Sequence, residues 1–175
     1  MDMISFRHEV RESDVGEVLR LAEATGFFST QEVEVAGELV LERLNKGPAS
    51  GYHFLLAENS QGEIQGYSCF GPIPCTRFSF DLYWIIVHPQ TQGQGLGKRL
   101  MAASEAQIAT LGGTRTYIET SSQSLYHPTR RFYERCGYTL EAVLKDFYAP
   151  GDDKHIYCKM LVSYPVELLP ESFLT

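Results

Sequence analysis

Apolar and polar positions along the chain follow two periods, about 2 and about 3.6 residues, and reading them in turn predicts an ordered set of strands and helices. Residues 4–10 alternate as a first strand, with Ile4 and Phe6 on one face. Val15, Val18, Leu19 and Ala22 then form a helical stripe that ends near Gly26, and Asp14 with Glu17 has the spacing of a capping box at its start. A second helix is expected from Ser29, with Glu32 as reciprocal cap and Val33, Ala36, Val40 and Leu44 on one face, up to Gly47-Pro48. Residues 52–58 and 63–70 read as a hairpin across Asn59-Ser60-Gln61-Gly62.

The most telling stretch is DLYWIIVHPQTQGQGLG, residues 81–97. Leu82 to Val87 is a β-rich apolar run that reads as a buried strand, stopped by His88-Pro89 because proline cannot continue a central ladder. After the glycines, residues 98–111 carry Leu100, Met101, Ala103, Ala106 and Ile108 at helical spacing. Strand, glycine-rich turn and helix in succession aim several backbone N–H groups and a helix N-terminus at one spot, which suits a phosphate. Downstream the pattern predicts a strand over 114–120, a short helix over 128–135 ending at Cys136-Gly137, and a hairpin of residues 138–148 and 155–162 turning at Ala149-Pro150-Gly151-Asp152. The order βααβββαβαββ implies a mixed sheet with helices on both faces, in one domain covering residues 1–175.

Composition narrows the partners more than the fold. With 43% apolar and 21% charged residues in 175, the chain has ordinary globular proportions. A net charge of −7 disfavours a general nucleic-acid binder and suits a cationic or neutral substrate. No run approaches the ~20 apolar residues needed to span a bilayer, and the N-terminus lacks a signal-peptide core, so a cytoplasmic protein without membrane attachment is expected. Cys69, Cys75, Cys136 and Cys158 have neither metal nor disulfide spacing, so no metal site is expected and the four read as reduced packing residues.

The glycine loop fits neither common phosphate motif. A Walker A loop needs glycine at position 92 and Ser or Thr at position 99, but Gln92 and Arg99 stand there. A dinucleotide fingerprint needs glycine where Lys98 sits. What the residues do fit is Gln-x-x-Gly-x-Gly (Gln92, Gly95, Gly97), which resembles the acyl-CoA pyrophosphate loop of the GNAT superfamily of N-acetyltransferases. The alternative is a glycine-rich turn without a ligand. A second signature of that family is an aromatic pair, three residues, then Gly-aromatic, and it occurs here as Phe132-Tyr133, residues 134–136 and Gly137-Tyr138. The element order is also that of the GNAT fold, which implies an α/β (α+β) architecture with a mixed, mostly antiparallel sheet of about seven strands. The match spans about residues 3–162. The tail 163–175 falls outside it and carries apolar residues suited to the sheet or to a second subunit, hence a possible homodimer.

The resemblance also implies roles. The donor, acetyl-CoA, would lie along Gln92, Gly93, Gln94, Gly95, Leu96, Gly97 and Lys98, with the backbone of Ile85, Ile86 and Val87 freed by a bulge that splays this strand from the next. Many members have asparagine at the position of Tyr126, so the contact it makes with the pantetheine arm is lost or remade. Tyr133 would meet the departing sulfur. Full proton transfer from a phenol (pKa ~10) to a thiolate (thiol ~8.5) is uphill by roughly 2 kcal/mol, so hydrogen bonding to the sulfur matters more. Glu119 stands near the place of the glutamate base of the ribosomal-protein alanine N-acetyltransferases, and reads equally as a strand-end charge in a salt bridge. Asp81, Tyr83 and His127 are reserves. Lys98, Arg99, Arg130 and Arg131 are cations available to phosphates, or solvated surface charges.

Together these features imply an enzyme that moves an acetyl group from acetyl-CoA to a primary amine by direct attack in a ternary complex. The acceptor is a small molecule or a protein amine. The aromatics Phe27, Phe28, Phe78, Phe80, Phe147 and Tyr148, with Asp152 and Asp153, suit a cationic, partly apolar one. The alternatives are a non-catalytic CoA-binding regulatory module and a scaffold without a cofactor.

Overall fold

The computed structural model describes residues 3–161, and within them every strand predicted by alternation forms. These are β1 (Ser5–Arg7), β2 (His53–Glu58), β3 (Ile64–Pro72), β4 (Ser79–Val87), β5 (Arg115–Ser121), β6 (Thr139–Ala149) and β7 (Asp152–Met160). They make one sheet in the order β1-β2-β3-β4-β5-β7-β6, antiparallel throughout except between β4 and β5. Four helices, α1 (Glu12–Thr25), α2 (Thr30–Lys46), α3 (Leu96–Thr110) and α4 (His127–Arg135), complete the fold. The tail whose apolar residues suggested a second subunit lies outside the described residues.

Each face of the sheet has its own core, as expected for helices on both sides. On one, Val18, Leu21 and Ala22 of α1 and Val33, Ala36 and Val40 of α2 cover Phe54, Leu56, Tyr67 and Ile86. On the other, Leu100, Met101 and Ile108 of α3 and Tyr133 of α4 cover Leu55, Phe70, Phe80, Leu82 and Ile118. Ser29 and Glu32 cap α2 reciprocally, as their spacing predicts. For α1 the cap lies three residues earlier than expected. Asp14 occupies the third helical position and accepts from the Arg11 N–H at 2.6 Å. Its carboxylate is almost fully buried and takes both Arg7 guanidinium nitrogens at 2.9 Å, which fixes it in that role.

Strand β4 departs from the expected buried run. Cys69 of β3 faces Trp84 whereas Phe70 faces Leu82, so Tyr83 is an extra residue in a β-bulge and is 39% exposed. Its ring packs edge-on against Tyr52 and lies over Gly71, where a Cβ would stand 2.3 Å from the Gly51 carbonyl oxygen. Pairing of β4 with β5 ends at Asp81 opposite Tyr117. Beyond that point the two strands part. The His88 N–H points to β3, where it donates to the Gln65 carbonyl at 2.8 Å. Alternation along a strand therefore turns the backbone of Ile85 and Val87 the other way, into the gap. The splay expected on the β5 side is present, and the bulge itself lies against β3.

Candidate active site

The gap between β4 and β5 joins two cavities. One is a groove of about 470 Å³ lined by Ile85, Val87, Gln92, Gly93, Gly95, Gly97, Lys98, Phe132 and Arg135. The other is a cleft of about 620 Å³ bounded by Phe28, Tyr83, Trp84, Glu119, Tyr126, Tyr133 and Tyr148. Phe27, Ile85, Val87, Gln92 and Thr129 belong to both, so groove and cleft are continuous through the parted strands. A still larger cavity, about 850 Å³, lies on the far side of the loop among amides and charged side chains, and neither Tyr133 nor Glu119 reaches it. Size alone therefore does not mark the chemistry.

Local sequence explains the groove. Gly93 and Gly95 have φ of 75° and 84°, a left-handed conformation that side-chain-bearing residues adopt at a cost. Gly95 caps α3, so the first N–H groups of that helix open at the groove. At Gly97 a Cβ would stand 3.4 Å from the Phe132 ring, so glycine lets α4 approach α3 closely. Gln92 folds back and donates from Nε2 to the Val87 carbonyl at 3.1 Å.

Not every residue expected on the donor side faces it. Gln94 donates to the Gln90 carbonyl and lines the larger cavity on the far side of the loop. Leu96 is buried and borders that same cavity. Ile86 lies in the opposite core and borders the cleft. Tyr126 also lies at the cleft and is absent from the groove lining; its hydroxyl donates to the Phe27 carbonyl at 3.3 Å. Of the four cations considered, Lys98 alone lines the groove. Arg99 turns to the Ile4 carbonyl, Arg130 donates to the carbonyls of Ser121 and Gln123, and Arg131 pairs with Glu134. Arg135 joins Lys98 at the groove, a position that helical spacing from Phe132 places one turn on but no motif marks.

Tyr133 is buried at the cleft among Phe132, Tyr138 and Tyr157, and its hydroxyl has no hydrogen-bond partner among the described residues. Burial pushes its pKa above the ordinary phenol value, which keeps the proton on the oxygen. Glu119 also borders the cleft, but Lys154 Nζ donates to its Oε2 at 2.6 Å. Asp81, the last β4 residue paired with β5, is half-buried, and its pKa is raised to about 6, first by burial and then by the charge of Glu119, with Lys154 opposing. Tyr83 borders the cleft, whereas His127 is exposed at the start of α4 and borders neither cavity.

The acids expected to meet a cation directly are otherwise engaged. Asp152 is buried and accepts from Ser121 Oγ at 2.5 Å and Gln123 Nε2 at 2.7 Å, which anchors the link between β5 and α4. Asp153 takes Lys145 and the Asp146 N–H. Phe78 and Phe80 do not border the cleft; Phe80 is in the core. Cys75 is exposed, unlike the packing role expected of it. Among the described residues no group of His, Cys, Asp or Glu is arranged to hold a metal, and no helix is long and apolar enough to cross a membrane.

Comparison with known proteins agrees with this geometry. The acetyltransferase (GNAT) domain model matches residues 50–140. A crystal structure of a candidate acetyltransferase of the GNAT family from Desulfovibrio desulfuricans is 46% identical, with a TM-score of 0.90 over 91% of this chain and 100% of that one. The chain belongs to the GNAT acetyltransferase family. An aminoglycoside 6'-N-acetyltransferase complexed with coenzyme A shares the fold at 19% identity, with a TM-score of 0.73 over 93% and 99% of the two chains. So does a candidate acetyltransferase from Salmonella typhimurium with its cofactor acetyl-CoA, at 18% identity and a TM-score of 0.72 over 94% and 97%. Among curated proteins none matches the chain in sequence.

Proposed function

We propose that the protein is an N-acetyltransferase that carries the acetyl group of acetyl-CoA directly to a primary amine, residues 1–175 acting as one catalytic domain. The observation that carries this reading is the parting of β4 from β5 beyond Asp81, which joins a glycine-lined groove to an aromatic cleft beside Tyr133. Acetyl-CoA supplies a thioester already activated toward amines. The groove suits its pyrophosphate through the N–H groups at the start of α3, with Lys98 and Arg135 beside them. Backbone N–H groups of Ile85 and Val87 turn into the gap, where one donor aimed at a developing oxyanion is worth about 2.7–4 kcal/mol.

In the cleft the amine nitrogen adds to the acetyl carbon, charge gathers on the carbonyl oxygen, and the carbon–sulfur bond breaks as the carbonyl re-forms. The departing thiolate receives a hydrogen bond from the Tyr133 hydroxyl, whose raised pKa keeps its proton in place. The amine proton goes to a carboxylate. Of the two on these strands, Glu119 is held by Lys154, whereas Asp81 has no hydrogen-bond partner among the described residues and is half protonated near pH 6. Asp81 stands outside the residues that line the cleft, so it is the better base near neutrality through a bridging water, and Glu119, which borders the cleft, sets the charge around it. A cytoplasmic location and a homodimer complete the reading. For the dimer, the exposed apolar residues Leu140, Leu144 and Phe147 of the edge strand β6 give support.

The test is an acceptor screen with acetyl-CoA, read as release of free CoA thiol. Thiol release that requires both the protein and one class of amine is expected. Binding of CoA with no thiol release across all amines would instead make the protein a regulatory module.

A further inference from the structure

Lys154 makes a pattern of contacts that the proposed chemistry does not use. It projects from β7, is largely buried (its side chain is 12% exposed), and its ammonium is held from two sides. Glu119 Oε2 accepts at 2.6 Å, and the Phe147 ring centroid lies 3.8 Å away, with Tyr148 at 5.8 Å. A carboxylate facing the π-face of aromatic rings is a receptor for a cationic group. Here the chain's own lysine occupies it. Two of the three partners, Glu119 and Tyr148, also border the cleft.

The remaining carboxylates around the cleft are poor anchors for a second cation. Glu32 receives its own helix cap, and Asp152 receives Ser121 and Gln123. The walls between them are aromatic, with Phe28 edge-on to Trp84 at 4.8 Å and Phe27 against Tyr126. Among the described lining residues this leaves Glu119 as the carboxylate a cation could meet, and Lys154 already takes it.

We propose that Lys154 is a specificity-determining residue: its ammonium fills the seat formed by Glu119, Phe147 and Tyr148, so the cleft accepts amines with one cationic centre on an apolar body and rejects diamines and polyamines. The assignment of the cleft as the acceptor site rests on the acetyl-transfer reading. A diamine whose reacting end reaches the gap would need a place for its distal ammonium, and the wild-type protein already holds a positive charge there.

The experiment compares hexylamine with 1,6-diaminohexane in wild type, Lys154→Met and Lys154→Arg. Methionine keeps the unbranched stem over Phe147 and removes the charge. Two readouts are taken, kcat/KM by thiol release and affinity by calorimetry for the CoA-loaded protein. In Lys154→Met the diamine-to-monoamine ratio of kcat/KM should rise at least tenfold, with a matching gain in diamine affinity. Lys154→Arg, which keeps a cation in the seat, should behave as wild type. Glu119→Gln added to Lys154→Met should abolish the gain. Equal gains for both amines, or no gain for the diamine, would overturn the proposal. Absence of turnover with every amine would instead defeat the acetyl-transfer reading, and the calorimetric ratio would still decide the role of Lys154.

Discussion

Gln92 and Val87 are tied by a hydrogen bond of 3.1 Å from the side-chain amide to the backbone carbonyl, which closes the glycine loop onto the end of the central strand. The carbonyl it engages is one that turns into the gap between β4 and β5, so the first residue of the loop motif also shapes the mouth of the groove. Removing the amide should let the loop drift from the strand. Gln92→Ala is expected to weaken CoA binding about 5–10-fold, the worth of one hydrogen bond of roughly 1 kcal/mol, with little change in Tm. Isothermal titration with CoA checks it, and an unchanged Kd would separate the loop from the groove.

Gly95→Val should act more strongly. At φ 84° a β-branched residue is strained, and its side chain would stand in the groove over the first turn of α3. We expect at least a tenfold loss of CoA affinity and a Tm lowered by a few degrees, with the protein still folded by circular dichroism. Lys98→Ala should cost much less, because backbone groups dominate the loop. A larger loss for Lys98→Ala than for Gly95→Val would reverse that assignment.

The fold was legible because its strands and helices keep their periods almost without interruption, and the glycine loop was legible because its sequence is its geometry. Other features depend on contacts between distant segments and leave no local signal. The bulge at Tyr83 arises from register against β3. The early cap of α1 arises because Arg7, on another strand, holds Asp14. Asp152 looks like a surface acid in a turn until β5 and the link to α4 place Ser121 and Gln123 on it. Glu119 reads in sequence equally as a base or an ion-pair partner, because only the packing of β7 brings Lys154 to it.

Asp81 gives a pH prediction of definite sign. Its pKa is raised in the folded protein to about 6 from an ordinary 3.8, so between those values the native state holds a proton the unfolded state has lost. Stability from this group therefore falls as pH rises from about 4 to 6 and stays lowered above. Asp81→Asn should be more stable than wild type at pH 7.5, with the advantage shrinking toward pH 4.5, as thermal melts at the two pH values will show. If Asp81 is the base, kcat/KM of wild type should fall below an apparent pKa near 6, and that limb should be missing from a much slower Asp81→Asn. Retention of the limb in the variant would move the role to another group.

Tyr133→Phe keeps the ring among Phe132, Tyr138 and Tyr157, so the fold should survive and only the hydroxyl is lost. An interaction made only as the thiolate departs should cost kcat and kcat/KM together, by roughly 10²–10⁴-fold, with acetyl-CoA affinity nearly unchanged. A raised KM at constant kcat would make Tyr133 a positioning residue instead.

The homodimer is checked by light scattering at tens of micromolar. A mass near twice the 19.7 kDa of the chain is expected, and a mass of one chain would dispose of it.

At the centre is the transfer of an acetyl group from CoA directly to an amine between the parted strands, with no acyl-enzyme. It is tested most directly by quantifying, in one reaction with an acceptor from the screen, the N-acetylated amine by mass spectrometry and the free CoA thiol by absorbance. Equal amounts of the two are expected throughout, with no initial thiol burst when acetyl-CoA is mixed with the protein alone. Thiol without acetylated amine, or a stoichiometric burst without acceptor, would contradict it.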